Sequence, residues 1–177
     1  MRRTRSTEAE PTAAAASEAG RPDLTLDLDR YVPALITFTA NKLSRTATVT
    51  YQKRFGVNVT EWRILALLAI EPNISAARIC HVIGFDKGPV SRTLAALRTR
   101  GLIRIKADRQ DARTHSISLT PKGRATHDDV IVAALERERR LLSCLRKDER
   151  EVLISLLRRV HNNLDAVTAP GESLNRD

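Results

Sequence analysis

The spacing of apolar residues predicts three short helices in the middle of the chain, and each begins with the same local pattern. A capping residue stands between an apolar residue and a second apolar residue four positions further on, the arrangement called a hydrophobic staple. The three occurrences are Val59-Thr60 with Ile64, Ile74-Ser75 with Ile79, and Phe85-Asp86 with Val90. The pattern therefore predicts helix starts near Thr60, Ser75 and Asp86.

Proline and glycine mark where these helices end. Pro72 limits the first helix, Gly84 the second, and Gly101 the third. Only Gly84-Phe85 separates the second helix from the third. Two helices joined by so short a glycine-containing turn are typical of a helix-turn-helix.

After Gly101 the apolar period changes from helical to alternating. Residues 102–106 and 115–119 predict two short antiparallel strands, with Ile103 and Ile105 facing Ile117 and Leu119. The polar segment 107–114 joins them. This hairpin is the wing of a winged helix.

Longer helices are predicted on both sides of this segment. The first covers about residues 29–55 and ends at Gly56. The next starts at Thr120-Pro121, a cap followed by proline at the first helical position, and runs to about Cys144.

The last helix is predicted from Asp148, with Glu151 completing a variant capping box, to about Val167. Its broad apolar stripe consists of Val152, Leu153, Leu156, Leu157, Val160 and Leu164. A small winged unit cannot bury three long helices of this kind. A second copy of the chain is the simplest partner for them.

The predicted fold is therefore mainly α, a winged helix-turn-helix with a small β-hairpin and long N- and C-terminal dimerisation helices. The N-terminal dimerisation helix covers 24–57, the winged unit 58–120 and the C-terminal helices 121–167. Residues 1–23 and 168–177 show no apolar period, so we expect a disordered arm and a flexible tail.

The composition supports helix packing and a polyanionic partner. Aromatic residues make up only 3% of the chain and hydrophobic residues 42%, which favours a core of Leu, Ile, Val and Ala. The net charge is +9. Residues 78–113 carry nine Lys/Arg and three Asp, so +6 of it lies in this one segment.

No apolar run is long enough to cross a bilayer, and the arginine-rich start lacks the apolar region of a secretory signal. The two cysteines, Cys80 and Cys144, form no close pair. We therefore expect a bacterial cytoplasmic protein, at the nucleoid when bound to DNA, with no membrane partner.

The third short helix has two faces. Val90, Leu94 and Leu97 share a narrow stripe that predicts core. The opposite face carries Gly88, Ser91, Arg92 and Ala95, and small residues around one arginine suit a major groove. Lys87 and Arg98 flank this face and suit phosphates. The alternative interpretation is an ordinary solvated face.

The predicted hairpin loop adds two further cations. Arg109 at the tip is placed to enter a minor groove, and Arg113 to contact the neighbouring backbone. Asp108 and Asp111 are candidates to brace these arginines by bidentate hydrogen bonds. The alternative is an unstructured polar hairpin.

The run DKGPVSRTLAALRTRGLIRIKADRQDARTHSISLTPKGR (86–124) resembles the MarR family of regulators, and the resemblance covers about residues 28–165. The matching motifs are Asp86, Val90-Ser91-Arg92, Arg100-Gly101-Leu102, Asp108-Arg109-Gln110-Asp111-Ala112-Arg113 and Leu119-Thr120-Pro121-Lys122-Gly123. The resemblance implies a homodimer formed by the first and last helices and bound to a near-palindromic operator in double-stranded DNA. Gly88-Pro89 departs from the family, which often has two hydroxyl residues there.

The resemblance also implies a small-molecule effector, often phenolic or carboxylated, between the dimer helices and the winged unit. Thr39, Thr46 and Thr50 share a predicted inward stripe with Leu43 and are candidate ligand contacts, together with Trp62. The alternative is that each threonine bonds to a carbonyl one turn back and that Trp62 packs between helices.

Redox and metal chemistry have weaker support. Cys80 lies on a buried-type helix face, whereas Cys144 lies near Arg140 and Lys147 and is the better thiolate candidate for a redox-sensing regulator. The four histidines show no metal-ligand spacing, so we expect no metal and no cofactor.

An enzyme is disfavoured because the chain has no phosphate-binding glycine loop, nucleophile elbow or dinucleotide fingerprint. A winged-helix protein–protein interaction module without specific DNA binding remains the main alternative. The expected function is a sequence-specific regulator, a repressor released from its operator by an effector.

Overall fold

The computed structural model describes residues 25–107 and 115–167 of the chain. Six helices and one antiparallel hairpin lie in this part: α1 (Val32–Phe55), α2 (Val59–Ile70), α3 (Ala76–Ile83), α4 (Lys87–Thr99), β1 (Ile103–Ala107), β2 (His115–Leu119), α5 (Pro121–Leu141) and α6 (Lys147–Asn162), with 3-10 turns at Leu142–Cys144 and Leu164–Val167. The prediction of a mainly helical winged helix-turn-helix is confirmed. Within residues 25–107 and 115–167, every helix is too short or too polar to span a bilayer.

The chain divides into two compact units at Thr46, within α1. In the first unit α1 begins at Val32, three residues later than predicted. Residues before it form a turn, in which the Asp27 carbonyl accepts hydrogen bonds from the backbone N–H groups of Arg30 (3.1 Å) and Tyr31 (2.9 Å). The described part of this unit leaves Leu35, Ile36 and Phe38 exposed in the single chain.

The core of the second unit lies between α2, α3, α4, the hairpin and α5. Its fully buried side chains are Ile64, Leu65, Leu68, Ile79, Leu97, Ile117, Val57, Val90 and Val130. These are aliphatic, as the composition predicted. Because every element of the winged unit contributes to one core, α4 is held on a continuous apolar support.

The predicted cap of α2 at Thr60 is wrong, and Asn58 caps the helix two residues earlier. The Asn58 side chain accepts hydrogen bonds from the N–H groups of Thr60 and Glu61, both at 2.9 Å. Glu61 Oε2 accepts in return from the Asn58 N–H at 2.9 Å. This reciprocal box satisfies more of the free backbone donors at the helix start than a single threonine cap would.

The other short helices begin and end where the sequence predicts. Ser75 Oγ accepts from the Arg78 N–H at 3.1 Å, and Gly84 and Gly101 have the left-handed φ values of 67° and 69° that glycine favours at helix ends. Asp86 stands at the cap of α4, but its side chain makes no capping hydrogen bond. Pro89, at the third helical position, has no N–H to donate to it.

The hairpin has the predicted register. Ile103 pairs with Leu119 and Ile105 with Ile117, so the aliphatic side chains lie on one face. Ile74, before α3, forms a further antiparallel bridge to Ile117. The base of the wing is therefore joined to the helix-turn-helix by backbone pairing.

The start of α5 is also as predicted, since Thr120 Oγ1 accepts from the Gly123 N–H at 3.0 Å and Pro121 is the first helical residue. The predicted cap of α6 at Asp148 is wrong. The helix begins at Lys147, and Glu149 Oε2 accepts from the N–H of Arg146 at 2.8 Å. Asp148 lies inside the first turn, where it forms an ion pair with Arg146 at 3.0 Å.

Candidate nucleic-acid interface

Helix α4 separates an apolar face from a polar one, as the sequence predicted. Val90 and Leu97 are completely buried and Leu94 is 5% exposed. The residues predicted to face DNA are all exposed: Lys87, Gly88, Ser91, Arg92, Ala95 and Arg98. The burial of one face fixes which side of α4 is available to a partner.

Gly88 leaves open space beside Arg92. A Cβ placed on Gly88 would lie 3.6 Å from Nη1 of Arg92, so the guanidinium lies along the side of the helix that carries Gly88. The Thr93 hydroxyl donates to the Pro89 carbonyl at 2.9 Å and is satisfied within the helix. The first turns of α4 therefore present one guanidinium over a backbone without side-chain bulk.

Three of the basic residues counted in segment 78–113 have partners inside the winged unit. Arg78 forms two hydrogen bonds of 3.0 Å with the carboxylate of Glu71, and this pairing lowers the pKa of Glu71 and raises the pKa of Arg78. Arg104 Nε donates to Ser118 Oγ at 2.9 Å. Arg100 pairs with Glu61 at 2.9 Å. These side chains stabilise the unit instead of extending towards a partner.

The cations on the exposed face of α4 differ from these three in their partners. Within 25–107 and 115–167, Lys87, Arg92 and Arg98 form no ion pair with an acidic side chain. All three are exposed. The exposed face of α4 and its flanks therefore carry three cations that no acidic side chain of the described residues neutralises.

Arg100 anchors the C-terminal end of α4, a role that the sequence analysis missed. Its Nη1 donates to Glu61 Oε1 at 2.9 Å and its Nη2 to the Gly56 carbonyl at 2.8 Å. The Glu61 side chain is only 8% exposed. The Asn58-x-x-Glu61 capping-box spacing was a sequence signal for Glu61, but nothing in the sequence pairs it with a residue 39 positions away.

The first turn of α5 contacts the end of α4. Lys122 Nζ donates to the Arg100 carbonyl at 3.0 Å, and Thr120 Oγ1 donates to the Gly101 carbonyl at 2.6 Å. A Cβ on Gly123 would collide with the Leu102 carbonyl oxygen, so only glycine permits this close approach. Helix α4 is therefore fixed at its C-terminal end by α2 and by α5.

The four predicted wing residues, Asp108, Arg109, Asp111 and Arg113, lie outside the described residues. The strands β1 and β2 that lead to them are described and pair from Ile103↔Leu119 to Ala107↔His115. The contacts of these four side chains remain predictions from the sequence.

The candidate ligand residues fall in different units. In the first unit Thr39 and Thr46 are exposed in the single chain, and the Thr46 hydroxyl bonds to the carbonyls of Lys42 and Leu43, both at 3.1 Å. In the second unit Thr50 is half-buried. The backbone bonding predicted as the alternative for the threonines is thus present at Thr46.

Trp62 is half-buried in an aromatic cluster. Its ring stacks on His127 with 5.4 Å between centroids and meets Tyr51 edge-on at 6.1 Å. His127 is 8% exposed, and its Nδ1 lies 2.7 Å from Asp128 Oδ1. Trp62 therefore packs between helices, and the role of His127 in that packing was not found from the sequence.

The two cysteines differ in exposure. Cys80 packs against the core, whereas Cys144 is exposed in the turn after α5, where its thiol lies 3.7 Å from the Leu141 carbonyl oxygen. Across the described residues, no group of three or more His, Cys, Asp or Glu side chains could hold a metal ion.

Comparisons with known proteins agree with this geometry. A sequence profile of the MarR family matches residues 55–114. The crystal structure of a MarR/EmrR family transcriptional regulator from Acinetobacter sp. ADP1 is 33% identical, with a TM-score of 0.75 over 80% of this chain and 99% of that one.

Two further matches are more distant. YdgJ of Bacillus subtilis, an uncharacterized HTH-type transcriptional regulator, is 24% identical over 77% of this chain and 83% of its own length. The structure of the S. aureus MepR–DNA complex shares the fold at 20% identity, with a TM-score of 0.68 over 78% of this chain and 99% of that one. The matched proteins are regulators and not enzymes, and this chain belongs to the MarR family of transcriptional regulators.

Proposed function

We propose that this regulator is a homodimeric repressor that places two copies of α4 in successive major grooves of a near-palindromic operator. The observation that carries the proposal is the exposed face of α4, where Lys87, Arg92 and Arg98 have no acidic partner in the described structure while the opposite face is buried. A major groove is wide enough to admit a helix, and two half-sites about one turn apart match a two-fold dimer.

Each cation of α4 has a separate proposed role. Arg92 contacts a base edge or phosphate in the groove, because Gly88 and Ser91 beside it leave little bulk between helix and DNA. Lys87 and Arg98 bind backbone phosphates on either side. Gly88 and Pro89 provide no hydroxyl groups, so side-chain base reading at the helix start rests on Ser91 and Arg92.

The wing extends this contact to the neighbouring minor groove. Arg109 enters that groove and Arg113 binds the adjoining backbone, with Asp108 and Asp111 bracing them. This part of the proposal is supported by the motif and by the strand pairing that leads into it.

The dimer is supported by apolar surface that the single chain leaves uncovered. On α6 the exposed large apolar side chains are Val152 (58%), Ile154 (37%), Leu156 (48%), Leu157 (48%) and Val160 (47%), and Leu164 (53%) follows in the 3-10 turn after the helix. Such a continuous apolar stripe on a soluble protein marks an interaction surface. A second copy of the chain provides a matching stripe by symmetry.

We also propose that a phenolic or aromatic-acid effector releases the operator by changing the spacing of the two recognition helices. Because affinity is shared between two half-sites, a small change of spacing weakens binding strongly. Thr39, Thr46, Thr50 and Trp62 remain candidate contacts for this effector, although the Thr46 hydroxyl already bonds to its own helix.

The test is a mobility shift with the DNA upstream of the protein's own gene, with excess nonspecific competitor and a salt titration. We expect a discrete complex of dimer stoichiometry. Arg92→Ala should cost about 1–3 kcal/mol if the side chain reads a base. Arg109→Ala should lower affinity strongly and make the salt dependence shallower.

The matched control is Arg139→Ala, which removes an exposed arginine of α5 that is paired with Glu136 at 2.8 Å. It should bind DNA as the parent does. Equal binding by the parent and Arg109→Ala would contradict the proposed role of the wing. Weak binding that nonspecific competitor abolishes would favour the protein–protein interaction module instead.

A further inference from the structure

Three consecutive residues near the start of α2, Glu61, Trp62 and Arg63, contact different parts of the second unit. The helix turns by about 100° per residue, so neighbours in its sequence point in different directions. Glu61 is buried, and Trp62 and Arg63 are half-buried. The first turns of α2 therefore pack against their surroundings on several sides at once.

Glu61 is bonded to the C-terminal end of α4. Its Oε1 accepts from Arg100 Nη1 at 2.9 Å, while its Oε2 accepts from the Asn58 N–H at 2.9 Å. The same guanidinium donates through Nη2 to the carbonyl of Gly56, the residue that directly follows α1, at 2.8 Å. One guanidinium thus joins the end of α4 to the junction between α1 and α2.

Arg63 contacts the turn at the other end of α4. Its guanidinium lies over the ring of Phe85, 5.6 Å from the centroid. Phe85 lies between α3 and α4, and the next residue, Asp86, stands at the cap of α4. A cation is attracted by the electron-rich face of an aromatic ring. The turn that leads into α4 is therefore held to α2 by this contact.

Trp62 contacts the long helices α1 and α5. Its ring meets Tyr51 of α1 edge-on at 6.1 Å and stacks on His127 of α5 at 5.4 Å. Tyr51 is 4% exposed and His127 is 8% exposed. Both contacts lie within the second unit, which begins at Ala47. The residue between the two contacts to α4 is therefore packed between α1 and α5.

We propose that Glu61 and Arg63 are positioning residues that set the orientation of α4 relative to α5 and the end of α1, with Trp62 as the fixed point between them. The consequence for DNA rests on the proposed function. If two chains dimerise through their long helices, the orientation of α4 on those helices sets the separation of the two copies of α4. It therefore also sets which half-site spacing the operator must have.

The first experiment measures the distance between α4 and α5 within one chain and requires no DNA. Spin labels are attached at Ala95→Cys on α4 and at Asp129→Cys on α5, both exposed positions, after the two native cysteines have been replaced by alanine. Labelled chains are diluted with unlabelled protein, so pulsed electron paramagnetic resonance measures distances within a chain only. We expect one narrow distance distribution in the parent and a distribution at least twice as wide in Glu61→Gln.

This variant has a matched control in the same unit. In Glu61→Gln, glutamine keeps an oxygen for the Asn58 N–H of the capping box but turns an amide group towards Arg100. Glu71→Gln breaks the ion pair of Glu71 with Arg78, which joins neither end of α4 to α2. The distance distribution should be the same in Glu71→Gln as in the parent.

Two further substitutions separate positioning from folding. Arg63→Met should widen the distribution less than Glu61→Gln, because methionine keeps an apolar contact with the Phe85 ring. Arg100→Lys should give a width between those of the parent and Arg100→Met, because lysine restores the charge without the paired donors. A thermal melt of each variant checks that it is folded.

The second experiment measures the consequence for operator recognition. Mobility shifts compare the operator with versions in which one base pair is inserted or removed between the half-sites. We expect the parent to bind the altered operators at least tenfold more weakly. This ratio should fall at least threefold in Glu61→Gln and stay unchanged in Glu71→Gln. A loss of folded protein lowers binding to all three DNAs equally, so only a change in positioning alters the ratio.

Two results of the distance measurement would overturn the inference. They are equally narrow distributions in the parent, Glu61→Gln and Arg63→Met, or equal widening in Glu71→Gln. A wider distribution with an unchanged spacing ratio would overturn the consequence for the operator. If the parent forms no discrete operator complex while Glu61→Gln widens the distribution, the proposed function alone is contradicted, because the distance measurement involves no DNA.

Discussion

Helices α4 and α6 are both amphipathic, but the chain buries the apolar stripe of only one of them. Val90, Leu94 and Leu97 of α4 are at most 5% exposed. On α6 no residue is buried, and Leu156 and Leu157 are each 48% exposed. The apolar stripe of α4 is thus covered within one chain, whereas that of α6 is left exposed.

Their ion pairs differ in the same way. Arg100 at the end of α4 pairs with Glu61, whose side chain is 8% exposed and lies 39 positions away. Arg146 at the start of α6 pairs with Asp148 and Glu149, its neighbours in sequence, and all three are well exposed. Long-range pairing fixes α4 in the fold, whereas the pairs of α6 stabilise only the helix itself.

The largest expected effect is on the buried stripe. Leu97→Ala should lower the free energy of unfolding by about 2–5 kcal/mol, because the side chain is completely buried. Leu156→Ala on α6 is the matched control. It should lower the free energy of unfolding by under about 1 kcal/mol. Both variants are measured in a chain that also carries Leu157→Glu, a substitution expected to keep the protein monomeric. Denaturant unfolding measures both variants. Equal losses of unfolding free energy would show that the stripes of α4 and α6 contribute equally to the stability of the single chain.

The next effect concerns the buried ion pair. Arg100→Met should cost about 1–3 kcal/mol, because it leaves Oε1 of the buried Glu61 carboxylate without its guanidinium partner. Arg146→Met removes an exposed pair and should cost at most about 1 kcal/mol. Chemical denaturation of the two variants compares them directly. A larger loss of unfolding free energy in Arg146→Met than in Arg100→Met would contradict the greater importance of the buried ion pair.

A third change tests the uncovered stripe. Leu157→Glu should convert the proposed dimer to a monomer, because it places a charge in the middle of the apolar face of α6. Light scattering after size-exclusion chromatography measures the mass. The circular dichroism of the winged unit should change little. Glu151→Gln, on a polar position of α6, is the control and should remain dimeric.

The smallest effect is at the surface of α5. Hydrogen bonds from Arg139 and Arg140 lower the pKa of Glu136 from 4.5 to about 2. The carboxylate therefore stabilises the fold above its unfolded pKa, and this contribution is lost as the pH falls from about 4.5 towards 2. NMR titration of the Glu136 carboxyl should show this midpoint, and in the Arg139→Ala/Arg140→Ala double variant the pKa should return towards 4.5. An unchanged midpoint there would assign the shift to another cause.

Much of the fold was predictable because its boundaries depend on neighbouring residues. Ser75, Gly84, Gly101 and Thr120-Pro121 mark helix ends through bonds or φ values within a few positions. The two wrong caps have a common reason. At α2 and at α6 a glutamate at the third helical position accepts the N–H of the residue before the helix, and this fixes the helix start.

The candidate site was predictable in part. The division of α4 into two faces follows from helical periodicity and is confirmed. The link between Glu61 and Arg100 was not predicted, because the two residues lie 39 positions apart in the sequence. The aromatic stack of Trp62 on His127 was missed for the same reason.

The sequence by itself determined the helices, the hairpin register and the side of α4 that faces the core, since periodicity, capping and glycine act locally. It also determined that segment 78–113 is basic. Only the tertiary structure decided what each cation does. Arg78 and Arg100 neutralise carboxylates within the fold, Arg104 bonds to Ser118, and Arg92 remains exposed on α4. The reason is physical. The sequence shows that a residue carries a charge, but its partners depend on which distant elements of the chain pack beside it.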